Sequence, residues 1–295
     1  MSEHAERQSL ARATAEVLKK YGLAAKKGFG QNFLINAAVL ESIVDGAGIT
    51  EEDAVLEIGP GIGTLTMYLA RAAGSVTAVE IDKRLIPVLK DTLMGLDNVC
   101  VINDDILKTD IARLAEERNG GRPFKVVANR PDYIPPPLLM QLLESGAPIE
   151  SITVMVQQEV ADRMQAEPGT KDYGALTLAV QYYTRAHIIT EVPPESFIPA
   201  PKVTSAVIRL DRYAEPPVQV RDAGLMFRLI RAAFNQRRKT LVNALANAPE
   251  TGLGKDQAAR ALESAGLDLK IRGEKLGLAE FAALADACAD ELSRG

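Results

Sequence analysis

Between residues 54 and 164, short apolar runs alternate with stretches whose apolar residues recur three and four positions apart. AVLEIG (54–59), SVTAVEID (75–82), NVCVINDDI (98–106) and FKVVANRP (124–131) have the length and composition of strands. TLTMYLARAA (64–73), RLIPVLKDTLM (84–94), TDIARLAEE (109–117) and PLLMQLLES (137–145) carry helical spacing. SITVMVQQEVADRM (151–164) runs from strand into helix. Strands apolar throughout must be covered on both faces, so this rhythm predicts an α/β fold with a parallel sheet between helices. Ligands of such sheets bind beyond the carboxyl ends of the strands. The 295 residues, 47% apolar and 25% charged, suffice for this domain and a second, smaller one.

The flanks read differently. The first 25 residues suggest a helix ending near Tyr21-Gly22, then a glycine-broken basic loop (26–34) and a second helix over 36–48. Residues 187–210 break the rhythm: Pro193, Pro194, Pro199 and Pro201 mark an irregular loop before the strand VTSAVIRLD. Beyond it, 224–247, 255–265 and 276–292 have helical spacing, which puts a domain boundary near Arg212 to Pro217. The expected division is 1–212, an α/β domain with an N-terminal helical extension, and 213–295, a helical domain. No apolar run approaches the ~18–20 residues that span a bilayer, and the charged opening has no secretory h-region. Glu3, Glu6 and Glu16 argue against a mitochondrial presequence. Two cysteines and two histidines form no metal-ligand cluster, and a reducing cytoplasm is the expected compartment. Cys100 and Cys288 read as core residues, His187 as structural and His4 as part of a frayed terminus.

A net charge of −5 argues against nucleic-acid binding. Its distribution argues the other way. Residues 19–27 hold Lys19, Lys20, Lys26 and Lys27, and residues 227–245 hold Arg228, Arg231, Arg237, Arg238 and Lys239, with no acid in either run. One such run is ordinarily a solvated helix face. Two in an acidic chain point to a local anion-binding surface, since screening makes electrostatics local within ~8–10 Å.

The segment Asp53-Ala-Val-Leu-Glu57-Ile-Gly59-Pro-Gly61-Ile-Gly63 closes a buried strand with an acid and then spaces three glycines alternately before a helix. Glycine permits a sharp turn and close approach of backbone to a ligand. The GxGxG spacing differs from the dinucleotide GxGxxG, and Glu57 would repel a pyrophosphate while suiting a cationic amino-acid group. This pattern resembles motif I of the S-adenosylmethionine methyltransferases. Glu80, 21 residues beyond Gly59, can accept from two ribose hydroxyls, and Asp105 can accept from an adenine amine. Three acids at the ends of three consecutive strands are hard to attribute to solvated strand ends alone. The fourth strand ends in Asn129-Arg130-Pro131-Asp132-Tyr133, which resembles the catalytic loop of amino-methyltransferases. An adenine amine is a poor nucleophile because its lone pair is delocalised. Acceptors at the Asn129 side chain and the Pro131 carbonyl would favour a pyramidal nitrogen, and transfer then needs positioning more than a general base.

LKKYGLAAKKGFGQNFLIN, VLEIGPGIGTLT, MVQQEVADRM, DYGALTLAVQYY, FIPAPKVTSAVIRL and FNQRRKTLVNAL occur in this order. Together they resemble the ribosomal RNA adenine N6,N6-dimethyltransferase family in its small-subunit, KsgA-type form. The resemblance implies a Rossmann-like S-adenosylmethionine methyltransferase domain with a small all-helical C-terminal domain that binds RNA. It implies dimethylation of N6 on two adjacent adenosines near the 3′ end of 16S rRNA, in the small subunit or its precursor, by a monomer. By position, Gln31, Asn32 and Leu34 would line the methionine end of the cofactor beside Gly59 and Gly61. Glu80 would hold the ribose, Ile81 would pack on the adenine and Asp105 would accept from its amine. Asn129 and Pro131 would hold the target amine and Phe197 would stack on the target base. Lys26, Lys27 and a basic helix over 228–239 would contact phosphates, which position without reading sequence.

The family's loop reads Asn, Leu or Ile, Pro, then Tyr or Phe, whereas here Arg130 and Asp132 occupy the second and fourth places, with Pro135, Pro136 and Pro137 following. Tyr133 is the nearest substitute for the missing aromatic. The expected activity is therefore rRNA adenine dimethylation. One alternative is a catalytically impaired member that serves as an rRNA-binding or ribosome-assembly factor. The other is a methyltransferase of the same architecture acting on 23S rRNA.

Overall fold

The computed structural model describes residues 3–23, 32–129 and 136–294. Along the chain come α1 (Glu3–Lys20), β1 (Phe33–Leu34), α2 (Ala37–Gly46), β2 (Ala54–Ile58), α3 (Thr64–Ala72), β3 (Ser75–Glu80), α4 (Ile86–Thr92), β4 (Val99–Asn103), α5 (Ile111–Asn119) and β5 (Phe124–Asn129). There follow α6 (Pro136–Glu144), β6 (Ile149–Gln157), α7 (Gln158–Met164), α8 (Ala175–Tyr183), β7 (Thr184–Val192), β8 (Phe197–Ile198) and β9 (Ser205–Arg212). The chain closes with α9 (Ala223–Asn235), α10 (Leu241–Ala246), α11 (Lys255–Ser264) and α12 (Leu278–Ser293).

Seven strands form one sheet in the order β4-β3-β2-β5-β6-β9-β7. The β4-β3-β2-β5-β6 part is parallel, with α3, α4, α5 and α6 as the crossovers that parallel neighbours require. The alternating strands are parallel as expected, and β9, beyond them, joins the sheet antiparallel to β6 from Ser151↔Asp211 to Gln157↔Ser205. The segment 187–192, expected within an irregular loop, belongs to β7, and the irregular stretch starts at Pro193, where the prolines do. Cys100 is only half-buried, since β4 is the sheet's edge strand. Cys288 is buried on α12, where burial raises its thiol pKa to about 12. His187 lies on β7 with Nδ1 3.6 Å from Asp211 Oδ2.

After β2 the chain first builds outward through β3 and β4, then returns to add β5 and β6 on the other side. The carboxyl ends of β2 and β5 therefore flank the reversal point, where sheets of this kind open a crevice. Above the same face lie α2 and α3, packed through Leu40, Ile43, Leu65 and Leu69 onto Val55, Val127 and Met155. A second, two-stranded sheet joins distant segments there: Phe33 and Leu34 pair with Ile198 and Phe197. The Ser196 carbonyl accepts from Ile35 N at 2.8 Å, and the Ser196 hydroxyl accepts from Asn36 Nδ2 at 3.3 Å. Asn36 also caps α2 by accepting from Ala38 N and Val39 N. At the opposite end of β5, the buried Lys125 donates to Asp53 Oδ2 at 2.8 Å and to the Gly48 carbonyl at 2.6 Å. A buried ammonium needs such partners, and these tie the end of α2 to the sheet.

The chain forms two compact units, Met1–Ala161 with Ala186–Arg212, and Asp162–Arg185 with Tyr213–Gly295. The first unit ends at Arg212, within the boundary region expected from composition. The segment 162–185 differs from the expected division by grouping with the C-terminal helices. Side chains account for this: Tyr173, fully buried, donates through its hydroxyl to the Leu276 carbonyl at 2.8 Å. Tyr182 and Tyr183 pack edge-on and stacked, respectively, against Phe227 of α9. The helical run 224–247 is also broken: α9 ends at Asn235 and α10 starts at Leu241, whose N–H bonds the Ile271 carbonyl at 2.7 Å. Among the described residues no helix is long and apolar enough to cross a membrane.

Candidate functional site

The glycine turn after β2 is built from residues in left-handed backbone geometry, with φ of 70° at Gly59, 63° at Gly61 and 89° at Gly63. L side chains rarely adopt this region, so the alternate glycines are a conformational requirement. A Cβ at Gly61 would project toward the Phe33 ring, 3.8 Å away, and so narrow the space in front of the turn. At Gly63, which starts α3, a Cβ would press on Leu93 and Thr92 at 3.0 Å. Gly61 thus keeps a cleft open, while Gly63 permits close packing.

Glu80, at the end of β3, holds the turn from beside it. Its carboxylate accepts from Gly61 N at 3.1 Å and Asp82 N at 2.9 Å, and the side chain is fully buried. A carboxylate oxygen can accept more than one hydrogen bond, which is the chemistry a ribose diol requires. Next to it, Ile81 is 46% exposed, a large apolar surface at a strand end, and Asp82 pairs with Arg84. After β4, Asp105 accepts from Leu107 N at 3.1 Å and lies 3.6 Å from Lys108 Nζ. Asp104 N donates to the Glu80 carbonyl, which seats this loop against the end of β3.

The cleft in front of the turn has about 490 Å³ of empty space, counting the part open to solvent. Its lining includes Asn32, Phe33, Leu34, Glu57, Gly61 and Asn129. Register explains the grouping. Glu57 pairs with Ala78 on one side and Val127 on the other, so Glu80 and Asn129, each two residues further, share its face of the sheet. Glu57 is 1% exposed, and burial pushes its carboxyl up to about 8; the nearby Thr66 hydroxyl opposes this and the Glu80 charge adds to it. Glu57 Oε2 and Asn129 Oδ1 are both buried without a hydrogen-bond partner among the described residues. Buried polar atoms are ordinarily satisfied, so two orphaned acceptors in one cleft mark a place shaped for a donor-rich ligand. The open Gly61 turn, these two acceptors and Glu80 together fit an aminoacyl-nucleoside ligand.

The cleft brings together Asn32, Leu34, Glu57, Gly59, Gly61 and Asn129, whereas Glu80, Ile81 and Asp105 stand on the adjoining strand ends. Phe33, Ile62, Thr64 and Leu65 also line it and were not anticipated; only their adjacency to Leu34 and the glycine turn marks them. Phe197 is 2% exposed, packed with Leu34, Leu40 and Val207, so its ring has no open face in this arrangement. Gln31, Lys26, Lys27, Pro131 and Tyr133, with Arg130, Asp132 and Pro135, lie outside the described residues.

The expected basic helix over 228–239 is corrected, because Arg237, Arg238 and Lys239 follow the end of α9 in a turn. Arg228 is 3.8 Å from Asp222, and Arg237 is committed to Glu274 at 3.3 Å and to the Lys171 carbonyl at 3.0 Å. Arg231, Arg238 and Lys239 are exposed. Among the described residues no group of three His, Cys, Asp or Glu could hold a metal ion.

A family model described as ribosomal RNA adenine dimethylase matches residues 22–289. A ribosomal RNA small subunit methyltransferase A from Lachnoclostridium phytofermentans is 58% identical over 274 residues, 92% of this chain and 94% of the relative. One of the same name from Geobacillus kaustophilus is 51% identical over 278 residues, 94% of this chain and 95% of that one. Among solved structures, a dimethyladenosine transferase from Plasmodium falciparum is similar with a TM-score of 0.70 and 26% identity, covering 85% of this chain and 95% of its own. The 23S rRNA methyltransferase ErmE matches with a TM-score of 0.63 and 28% identity, covering 88% and 100%.

Proposed function

Because the chain belongs to the ribosomal RNA adenine dimethylase family, we propose that it dimethylates N6 of two adjacent adenosines near the 3′ end of 16S rRNA, using S-adenosylmethionine. The observation that carries this reading is the pair of orphaned acceptors, Glu57 Oε2 and Asn129 Oδ1, on one sheet face in front of the open Gly61 turn. Identities of 50–58% to relatives named for the small subunit, against 28% to the 23S enzyme, favour 16S over 23S rRNA. The substrate would be the small subunit or its precursor, met in the cytoplasm by a monomer.

S-adenosylmethionine supplies, when bound, an electrophilic methyl group on a sulfonium. Asn32, Leu34, Glu57 and Gly61 would hold its methionine end, Glu80 its ribose, and Ile81 and Asp105 its adenine. Asn129 Oδ1 would accept one hydrogen of the target amine, and the Pro131 carbonyl the other. That pairing draws the nitrogen toward a pyramidal form with its lone pair facing the methyl group. No strong base is required, because the methylated nitrogen becomes acidic enough to lose its proton to water. For Phe197 to stack on the base, its ring would have to leave the packing beside Leu34. Stacking of one base on an aromatic side chain contributes about 1–3 kcal/mol.

The test is transfer of labelled methyl to unmethylated 30S subunits, with N6,N6-dimethyladenosine read by mass spectrometry. Product from the unaltered chain is expected, and Arg130→Leu with Asp132→Tyr should raise its rate by roughly the 5- to 150-fold of one restored stack. Product from the double variant alone would favour the second reading, an rRNA-binding assembly factor, which the residues at 130 and 132 support.

RNA would meet the exposed Arg231, Arg238 and Lys239, with Arg228, Lys26 and Lys27, through phosphates. Affinity should then fall steeply with salt, and Arg238→Gln with Lys239→Gln should flatten the log–log slope by about 1.4 for single-stranded RNA. Filter binding between 50 and 300 mM KCl measures this. An unchanged slope would remove these two residues from the interface. Arg237, held by Glu274, should affect stability more than the slope.

A further inference from the structure

We propose that Glu57 stands in the empty cleft as a neutral carboxylic acid and gives up its proton to solvent when the ammonium group of the cofactor docks, so that cofactor binding is coupled to proton release. The inference rests on the reading of the cleft as an S-adenosylmethionine site. It concerns a property of this carboxyl that cofactor binding alone does not require.

The surroundings of Glu57 argue for the neutral form. On its own strand the other acid, Asp53, stands at the far end and is held by Lys125 of β5. From β3 comes Glu80, a like charge whose oxygens accept the Gly61 and Asp82 N–H groups. Among the described residues at this end of the sheet, β5 offers Asn129, α3 offers Thr64 and Thr66, and Asn32 precedes β1, none of them cationic. A carboxylate at 1% exposure, with one oxygen unpartnered and no cation acting on it among the described residues, is costly, and protonation removes that cost. Burial pushes this carboxyl upward, and the Glu80 charge adds to the shift.

An arriving ammonium changes the balance. It brings a positive charge and three donors to a cleft whose described residues present oxygen acceptors, and an ion pair in a desolvated site is far stronger with a carboxylate than with a carboxylic acid. Glu57 then ionises and its proton leaves to solvent. If Asn129 Oδ1 satisfied the ammonium instead, Glu57 would stay neutral and no proton would move.

Isothermal titration calorimetry with S-adenosylhomocysteine, in two pH 7 buffers of different ionisation enthalpy, reads the number of protons exchanged. The full-length chain is expected to release about 0.9 proton per ligand bound, the fraction that a carboxyl titrating near 8 carries at pH 7. Glu57→Gln, which loses the ion pair, should bind more weakly and should release close to no proton per ligand bound. 5′-Methylthioadenosine, which lacks the amino-acid group, should bind the unaltered chain without proton release, a control that needs no variant. Release of less than about 0.2 proton by the unaltered chain, or equal release by Glu57→Gln, would overturn the inference and leave the cofactor assignment standing. Failure of S-adenosylhomocysteine to bind the unaltered chain would overturn the cofactor reading, and this inference with it.

Discussion

Asn129→Ala is expected to lower the rate of N6,N6-dimethyladenosine formation by about 10²–10³-fold, the usual effect of removing one preorganised hydrogen-bonding group from a site where charge develops. Stability should barely change. Oδ1 of Asn129 is buried without a partner among the described residues, so its removal breaks no hydrogen bond that this oxygen makes with them. The backbone of residue 129 keeps its place in β5, where it pairs with Met155. A residue that carries an unsatisfied acceptor at a strand end costs stability rather than adding to it, and this opposition between fold and function is what a stability measurement beside the kinetics would reveal. Single-turnover methyl transfer and thermal unfolding of the same preparation give both numbers. Retention of the rate within about threefold would remove Asn129 from the chemistry.

Glu57→Gln is expected to stabilise the protein, and by an amount that grows with pH. Burial holds the folded-state pKa at about 8, against an ordinary value of 4.5. Between those values the folded chain keeps a proton that the unfolded chain has released, so stability falls as pH rises through this window. Below about pH 4 both states are protonated and the parent loses nothing from this group. Above about pH 8 the loss is complete, on the order of 4–5 kcal/mol at most. Glutamine has the same shape with no charge to desolvate, so it escapes the loss. Urea unfolding at pH 5 and pH 8.5 should therefore show a small gain for the variant at the lower pH and a much larger one at the higher. Equal gains at both would mean that Glu57 is ionised in the folded chain throughout. Saturating S-adenosylhomocysteine should narrow the difference at pH 8.5, because the ligand's ammonium compensates the parent's carboxylate.

Much of the site was legible in the sequence because it is made of local chemistry at predictable places. Strand periodicity puts Glu57, Glu80 and Asn129 at the carboxyl ends of β2, β3 and β5, and the left-handed geometry of Gly59, Gly61 and Gly63 is what alternate glycines announce. These features depend on residues within a few positions of one another, where backbone sterics and apolar spacing act directly. The basic run over 227–245 shows the limit of such reasoning. Its charges were visible, but the break after Asn235 rests on a bond from Leu241 to Ile271, and the removal of Arg237 from the exposed set rests on Glu274. Phe197 shows it too, since the resemblance that implies a stacking ring says nothing of the packing with Leu34 that buries it.

By itself, the sequence determined the strand–helix rhythm, the glycine turn, the three strand-end acids and the family, all written in short-range spacing and residue type. Only the tertiary structure decided that β9 returns antiparallel, that 162–185 packs with the C-terminal helices, and that β1 pairs with the distant β8, Phe33 with Ile198 and Leu34 with Phe197. It alone decided that Glu57 is buried beside Glu80 and Asn129 with an oxygen left over. Pairing and burial depend on which distant segments meet, and that choice is made by the free energy of the whole packed chain, to which no local window of residues has access.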